Sequence, residues 1–269
     1  MIGKRSTVNL EKYTVKDLKN MVEAGLKVVE WHRFLVKNNV QLVKNLLPRK
    51  EAFYQFDLSP SSNAAGYESP SQLSCHALRT GKHAHFHIFL RDKTIPQNHR
   101  STGRFAVNGT DQHNGKICHL FAISMDPYGI PIRLFTTNLS ITGENWRPAR
   151  DILTKAERFQ FDPAQPSWVV SRWVTAMLRL FRPQIREMLE ERDRAVAKWK
   201  RKRAGKYIFG NWELCFSSIK EISIEEQNDA LLKELSKRLV THSSNMRVGK
   251  QRNPGARPQD RTNINKTCT

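Results

Sequence analysis

The sequence has few cysteines, no long apolar run and a shortage of acidic side chains. Its four cysteines are scattered without a Cys-x-x-Cys pair, which argues against the disulfide framework of a small secreted domain. No segment approaches the roughly 20 apolar residues of a membrane-spanning helix. Residues 1–6 are not followed by the apolar stretch of a signal peptide. We therefore expect a cytoplasmic protein with reduced thiols and no membrane partner.

The shortage of acidic residues leaves a strongly basic chain. Its 269 residues include 45 Lys and Arg against 25 Asp and Glu, which gives a formal charge of +20. Such a charge favours a polyanionic partner, and nucleic acid is the first candidate. The densest basic run supplies the candidate nucleic-acid contacts Lys198, Trp199, Lys200, Arg201, Lys202 and Arg203. The alternative is that the charge serves solubility or belongs to a loose tail.

Hydrophobic periodicity divides the chain into helices and strands. Helices are predicted at 15–36, 40–47, 146–158, 168–181 and 184–200, and from the capping box at Ser223 to about residue 240. Strands are predicted at 72–78, 82–90, 117–125, 130–136 and within 207–222.

Two turns join these strands into hairpins. Residues 79–81 end in a glycine, and residues 126–129 combine Asp, Pro and Gly, which suit a tight reversal of the chain. Two consecutive hairpins imply an antiparallel sheet of at least four strands, which needs a cover of helices. The prediction is one α+β domain at residues 1–240, followed by a disordered basic tail at 241–269.

Three histidines alternate with apolar residues in the strand predicted at 82–90. Because successive side chains of a strand point to opposite faces, His83, His85 and His87 share one face. The other face is apolar and belongs to a core. Neutral imidazoles bind metal ions and protonated ones bind phosphate, so this face is a candidate site. His76 and His119 lie on strands predicted to be its neighbours.

One interpretation of this face resembles the HUH endonucleases and relaxases. There, a His-hydrophobic-His strand holds a divalent metal ion that polarises a phosphate for attack by tyrosine. This resemblance makes His85 a catalytic residue and implies a Mn, Mg or Zn ion, whose ligands would be His76, His85, His87 and His119. Tyr13 is the candidate nucleophile, since residues 13–16 read Tyr-x-x-Lys at a helix start. Its N-terminal position departs from the order usual in replication initiators.

Two other interpretations stay open. The run 83–89 also matches the signature of a histidine-triad nucleotide hydrolase or transferase, in which His85 or a neighbour would attack an α-phosphate. In that family, however, the motif lies late in a shorter domain. Alternatively, the imidazoles are hydrogen-bonded packing residues, and the protein is a non-catalytic nucleic-acid-binding or accessory module.

Longer motifs extend from these strands. They are 85–91 (HFHIFLR), 119–126 (HLFAISMD), 129–138 (GIPIRLFTTN) and 142–144 (TGE). With residues 75–79, they resemble a bacterial domain family that carries no assigned function. The likeness covers most of residues 18–232 and implies a shared fold without a known activity. Cys75, where that family has an aromatic residue, and the basic tail past Thr241 depart from its pattern.

Overall fold

A computed structural model describes nine stretches of the chain. They are residues 8–37, 58–59, 71–77, 84–91, 117–126, 128–137, 147–156, 168–202 and 216–251. Several features of the sequence analysis lie outside these residues: the helix predicted at 40–47, the turn predicted at 79–81, His83, the motif at 142–144, Arg203 and the end of the tail at 252–269.

The described residues form an α+β fold, as predicted. Its helices are α1 (Val15–Lys37), α2 (Ala149–Ala156), α3 (Trp168–Leu180), α4 (Arg182–Lys202) and α5 (Ile224–Gln251). Its strands are β1 (Leu58–Ser59), β2 (Ser71–Ala77), β3 (Ala84–Arg91), β4 (Ile117–Met125), β5 (Pro131–Thr137) and β6 (Phe216–Glu221). The six strands make one sheet in sequence order, and each pairs antiparallel with its neighbour. The prediction of at least four antiparallel strands is confirmed.

Side-chain caps fix the starts of two helices. The Thr14 hydroxyl accepts a hydrogen bond from the Asp17 backbone at 3.1 Å, and Asp17 Oδ2 accepts one from the Thr14 backbone at 3.0 Å. Ser223 caps α5 in the same way, since its hydroxyl accepts from the backbone N–H of Glu226 at 3.2 Å. These contacts satisfy N–H groups that a helix start leaves without partners.

The turn between β4 and β5 follows the chemistry predicted for residues 126–129. Asp126 Oδ1 accepts hydrogen bonds from the backbone N–H groups of Tyr128 and Ile130, at 2.9 and 2.8 Å. Gly129 has φ +83°, a conformation that L-residues with a side chain adopt only at a cost. The Asp126 carboxylate therefore shapes the turn, and this local role accounts for its presence.

One face of the sheet packs against the helices. Phe86 of β3 lies with its ring centroid 6.1 Å from that of Trp173 in α3, and both side chains are fully buried. Helix α1 in turn packs on α3. Each large aromatic side chain in this core contributes about 3 kcal/mol from burial. This arrangement leaves the histidine face of β3 on the side away from the main core.

Helix boundaries differ from the predictions at three places, and the first is α2, which begins at Ala149 rather than at residue 146. The break expected near Pro183 is found as a turn at Phe181, with Pro183 early in α4, where a missing backbone N–H costs no helical hydrogen bond. Helix α5 continues beyond residue 240, where it was predicted to end, as far as Gln251. No helix among the described stretches is long and apolar enough to cross a membrane.

Candidate functional site

His85 and His87 lie on one face of β3, as the alternation predicted. Both rings meet Phe135 of β5 edge to face, with centroid distances of 5.2 and 5.6 Å. His87 is 5% exposed, whereas His85 is only half-buried. This face therefore presents one buried imidazole, that of His87, and one partly exposed imidazole, that of His85.

The deepest feature of this face is a pair of histidines. His87 Nδ1 lies 3.2 Å from His119 Nε2 of β4, and His119 is 2% exposed. If the rings bond to each other, one nitrogen donates and the other accepts, which needs at least one neutral imidazole. The structure thus brings together two of the four predicted metal ligands.

A β-bulge makes this pairing possible. Ile88 pairs with Phe121, but the next residue, Phe89, pairs with His119, so Leu120 is the extra residue of β4. In a regular strand, His119 would share the face of Phe121, which belongs to the main core. The extra residue reverses the alternation and turns His119 toward His87.

A small apolar cluster encloses the pair. Phe89, Phe135 and Ala122 are 1%, 3% and 0% exposed, yet they lie outside the main core. The centroid of the Phe89 ring lies 5.3 Å from that of His119. The two imidazoles are therefore held in an apolar pocket of their own, which restricts their rotamers.

Burial sets the charge of His119. Desolvation, with a smaller contribution from the positive charge of Arg192, lowers the pKa of His119 to about 3. The ring is therefore neutral at physiological pH, and a neutral imidazole is a metal ligand rather than an anion-binding group. Of the two chemistries open to this face, metal binding fits His119 and direct phosphate binding does not.

The spacing of the two nitrogens also suits a metal ion. Imidazole nitrogens bind zinc at about 2.0–2.1 Å, and two such ligands in a tetrahedral site lie about 3.3 Å apart. The observed 3.2 Å agrees with that distance. Within the described part of the chain, however, no three His, Cys, Asp or Glu side chains are placed to hold one ion. Further ligands would have to come from His76, whose side chain is not described, or from solvent.

A row of polar residues crosses the sheet beside the pair. The register sets His76 opposite His85, His85 opposite Ser124, Ser124 opposite Arg133 and Arg133 opposite Glu221. Arg133 donates to Glu221 over 3.4 Å, and its Nε is buried without a hydrogen-bond partner. Arg133 thus places a positive charge two strands from His85, on the same face of the sheet.

Tyr13 lies elsewhere. Its side chain is 5% exposed and belongs to the main core, with the Arg182 guanidinium 5.7 Å from the ring centroid. Burial raises the pKa of Tyr13, and the positive charge of Arg186 only partly offsets this effect. The structure does not bring Tyr13 together with the histidines, and its nucleophilic role stays a prediction.

The predicted basic cluster ends helix α4. Lys198, Lys200, Arg201 and Lys202 are exposed there, and Trp199 is partly exposed. Cations in the last helical turn are stabilised by the negative end of the helix dipole. These side chains are accessible to a polyanion, and contact with nucleic acid remains a prediction.

Sequence reasoning missed three contributors to the site. Phe89 could have been found, because it shares the alternation of His85 and His87. Phe135 and Arg133 could not have been placed, because the register between strands depends on bulges that no sequence pattern marks.

Comparisons with known proteins give one match. Neither the curated proteins nor the solved structures include a match to this chain. A family model described as a domain of unknown function, DUF6969, matches residues 22–222. These residues contain the whole histidine face, the paired hairpins and helices α2 to α4. The chain therefore belongs to the DUF6969 family, as the resemblance of its motifs indicated.

Proposed function

We propose that the protein binds a divalent metal ion at the pair His87 and His119 and that its partner is nucleic acid. The observation that carries the metal site is the 3.2 Å approach of two imidazole nitrogens inside an apolar pocket. The pocket keeps His119 neutral, and neutrality is what a metal ligand requires. The described His85 is not placed to share one ion with this pair, so a third ligand would come from solvent or from His76, which the register sets opposite His85.

The metal would supply positive charge to a site whose own histidine is neutral. A divalent ion there would attract and polarise a phosphate oxygen, which is the usual role of such ions on nucleic-acid backbones. Arg133, two strands away in the same row, would add a second cation for the phosphate. The formal charge of +20 supports a polyanion as the molecule that carries this phosphate.

A metal titration tests the proposal. The purified chain is treated with chelator and then unfolded thermally with increasing zinc, manganese or nickel. Binding to the folded state alone stabilises it by about 2.7 kcal/mol when free metal is 100 times its dissociation constant. His87→Gln and His119→Gln should abolish this shift. His32→Gln is the matched control, because His32 is a half-buried histidine of α1, outside the sheet.

A second readout needs no variant. Cobalt bound by nitrogen ligands absorbs visible light, so the folded wild-type chain should develop this band as cobalt is added. If no metal shifts the unfolding temperature and cobalt gives no band, the metal site is refuted, and His87 and His119 are a packing pair.

A cleavage assay separates an enzyme from a binding module. The protein is incubated with single-stranded DNA and manganese, and the products are separated by size. Cleavage that requires His87 and persists in Tyr13→Phe would indicate a metal-assisted reaction that does not use Tyr13. Metal binding and DNA binding without cleavage would indicate an accessory module.

A further inference from the structure

Helices α3 and α4 carry a regular stripe of four arginines, one tryptophan and one threonine. Its members recur at alternate intervals of four and three residues, the spacing of one face within each helix: Trp168, Arg172, Thr175, Arg179, Arg182 and Arg186. We call this set the arginine stripe. All but Trp168 line a cleft of ≈ 870 Å³ that is bounded by α1, α2, α3 and α4. The stripe spans eighteen helical steps, or about 27 Å at 1.5 Å per residue.

An aromatic platform stands at one end of the stripe. Trp168 is 46% exposed, although it is a large apolar side chain. Trp31 of α1 holds it edge to face at a centroid distance of 4.9 Å, and the Arg172 guanidinium lies 5.6 Å from its ring. A supported, exposed tryptophan beside an arginine is the combination on which unpaired bases stack.

The cleft has an excess of positive charge. Its described lining contains five cations (Lys27 and the four arginines) against three carboxylates (Asp17, Glu23 and Glu30). Two of these carboxylates are already paired inside the protein: Arg182 with Asp17 at 3.0 Å, and Lys27 with Glu23 at 2.5 Å. These two pairs leave Arg172, Arg179 and Arg186 against the single carboxylate Glu30, a surplus of two positive charges.

Like charges three or four residues apart destabilise a helical surface. Arg179, Arg182 and Arg186 are spaced in this way, and Asp17 offsets the charge of only one of them by direct pairing. A polyanion in the cleft would offset the remaining repulsion. The arginine stripe repeats its positive charges along α3 and α4. This repetition favours a ligand with repeated negative charges over a single anion.

We propose that the arginine stripe binds single-stranded nucleic acid, with a base stacked on Trp168 and phosphates bound by Arg172, Arg179 and Arg186. This proposal rests on the nucleic-acid half of the proposed function, and it names the surface that would bind the nucleic acid. The strand must be single, because only an unpaired base offers its face to Trp168. This surface is separate from the basic end of α4 at 198–202.

Fluorescence anisotropy of a labelled oligothymidine, measured with the full chain at several salt concentrations, tests the proposal. Trp168→Ala should weaken binding roughly ten-fold through lost stacking. Trp168→Phe should retain most of the affinity. Arg172→Gln with Arg179→Gln should reduce the slope of log affinity against log salt by about 0.7 for each lost phosphate contact.

Two control variants locate the contact. Arg150→Gln, on α2 with a side chain 87% exposed, removes a charge outside the cleft and should leave the slope unchanged. Lys200→Gln with Arg201→Gln removes two charges from the end of α4. If only this second pair weakens binding, or if duplex DNA binds as tightly as the single strand, the stripe proposal is overturned. If wild type binds neither form, the nucleic-acid half of the proposed function fails as well.

Discussion

Arg238 of α5 donates a hydrogen bond to the backbone carbonyl of Tyr13, so the last helix fastens the segment that precedes the first. The same guanidinium donates to the carbonyls of Leu10 and Glu11, at 2.9 and 3.0 Å. Glu234, one turn earlier, accepts from its Nε at 2.6 Å. A rigid fork of donors thus binds three carbonyls of this segment, and the Leu10 carbonyl also accepts a hydrogen bond from the Tyr13 N–H at 3.1 Å.

Replacing Arg238 with Gln should loosen this fastening. We expect the free energy of unfolding to fall by about 2–3 kcal/mol, because three charge-assisted hydrogen bonds to carbonyls and one to Glu234 are lost. Urea denaturation measures the change. Arg150→Gln, which removes an arginine with an 87% exposed side chain, should cost less than about 0.5 kcal/mol. Equal effects of the two substitutions would contradict the fastening role.

The stability of the protein should depend on pH through His119. Its pKa is about 3 when folded, against 6.5 as the ordinary value. The unfolded chain therefore binds a proton that the folded chain rejects, and stability should be lost as pH falls from about 6.5 toward about 3. The loss is about 5 kcal/mol at most, at 1.36 kcal/mol per pKa unit.

Urea midpoints between pH 4.5 and 7.5 would test this dependence. His119→Gln, which cannot take up the proton, should show a smaller loss of stability over that range. Other groups of the chain also contribute to the pH dependence. The result is therefore the difference between the loss of stability in wild type and that in His119→Gln. If both proteins lose stability in parallel, His119 does not have a strongly lowered pKa.

Substitution of Gly129 tests the turn between β4 and β5. Its φ of +83° costs a residue with a Cβ about 1–2 kcal/mol, although no atom lies within 4 Å of where that Cβ would be. Gly129→Ala should therefore destabilise the fold by roughly 1 kcal/mol. Gly129→Asn should cost less, because asparagine tolerates the left-handed region better. If thermal unfolding shows that the Gly129→Ala variant is as stable as wild type, the backbone at position 129 does not strain a residue with a Cβ.

Gly25 tests the close contact between α1 and α5. A Cβ at this position would lie 1.8 Å from Asn228 Oδ1, so Gly25→Ala requires the Asn228 side chain to move. Overpacking typically costs about 1–3 kcal/mol, and the higher helix propensity of alanine offsets about 1 kcal/mol of it.

A double mutant separates these two effects. Adding Asn228→Ala removes the colliding amide, so Gly25→Ala should become neutral or stabilising in that background. A double-mutant cycle from urea midpoints measures the coupling. Additive effects of the two substitutions would show that the helices do not meet at this point.

The sequence predicted the features that depend on residues close together in the chain. The alternation of residues 84–90 placed His85 and His87 together, and the Asp126 turn defined the hairpin of β4 and β5. The cap at Ser223 was predicted because a cap depends on residues within one helical turn.

Long-range relationships were not predictable in the same way. His119 was expected near the other histidines, but a regular β4 would have turned it to the main core; the bulge at Leu120 decides its face. Tyr13 matched a short motif, yet its position follows from the packing of α1 on the other helices. The arginine stripe crosses the break between α3 and α4, so its continuity depends on how two separate helices align.

The face that His119 occupies depends on how β4 accommodates Leu120. A chain without Leu120 would place His119 directly before Phe121, on the opposite face of a regular strand, so His119 would stay opposite Phe89 and beside His87. A chain that keeps Leu120 but loses the bulge would instead turn His119 toward the main core and separate the two imidazoles. The pair therefore tolerates the removal of the extra residue but not its incorporation into the regular ladder.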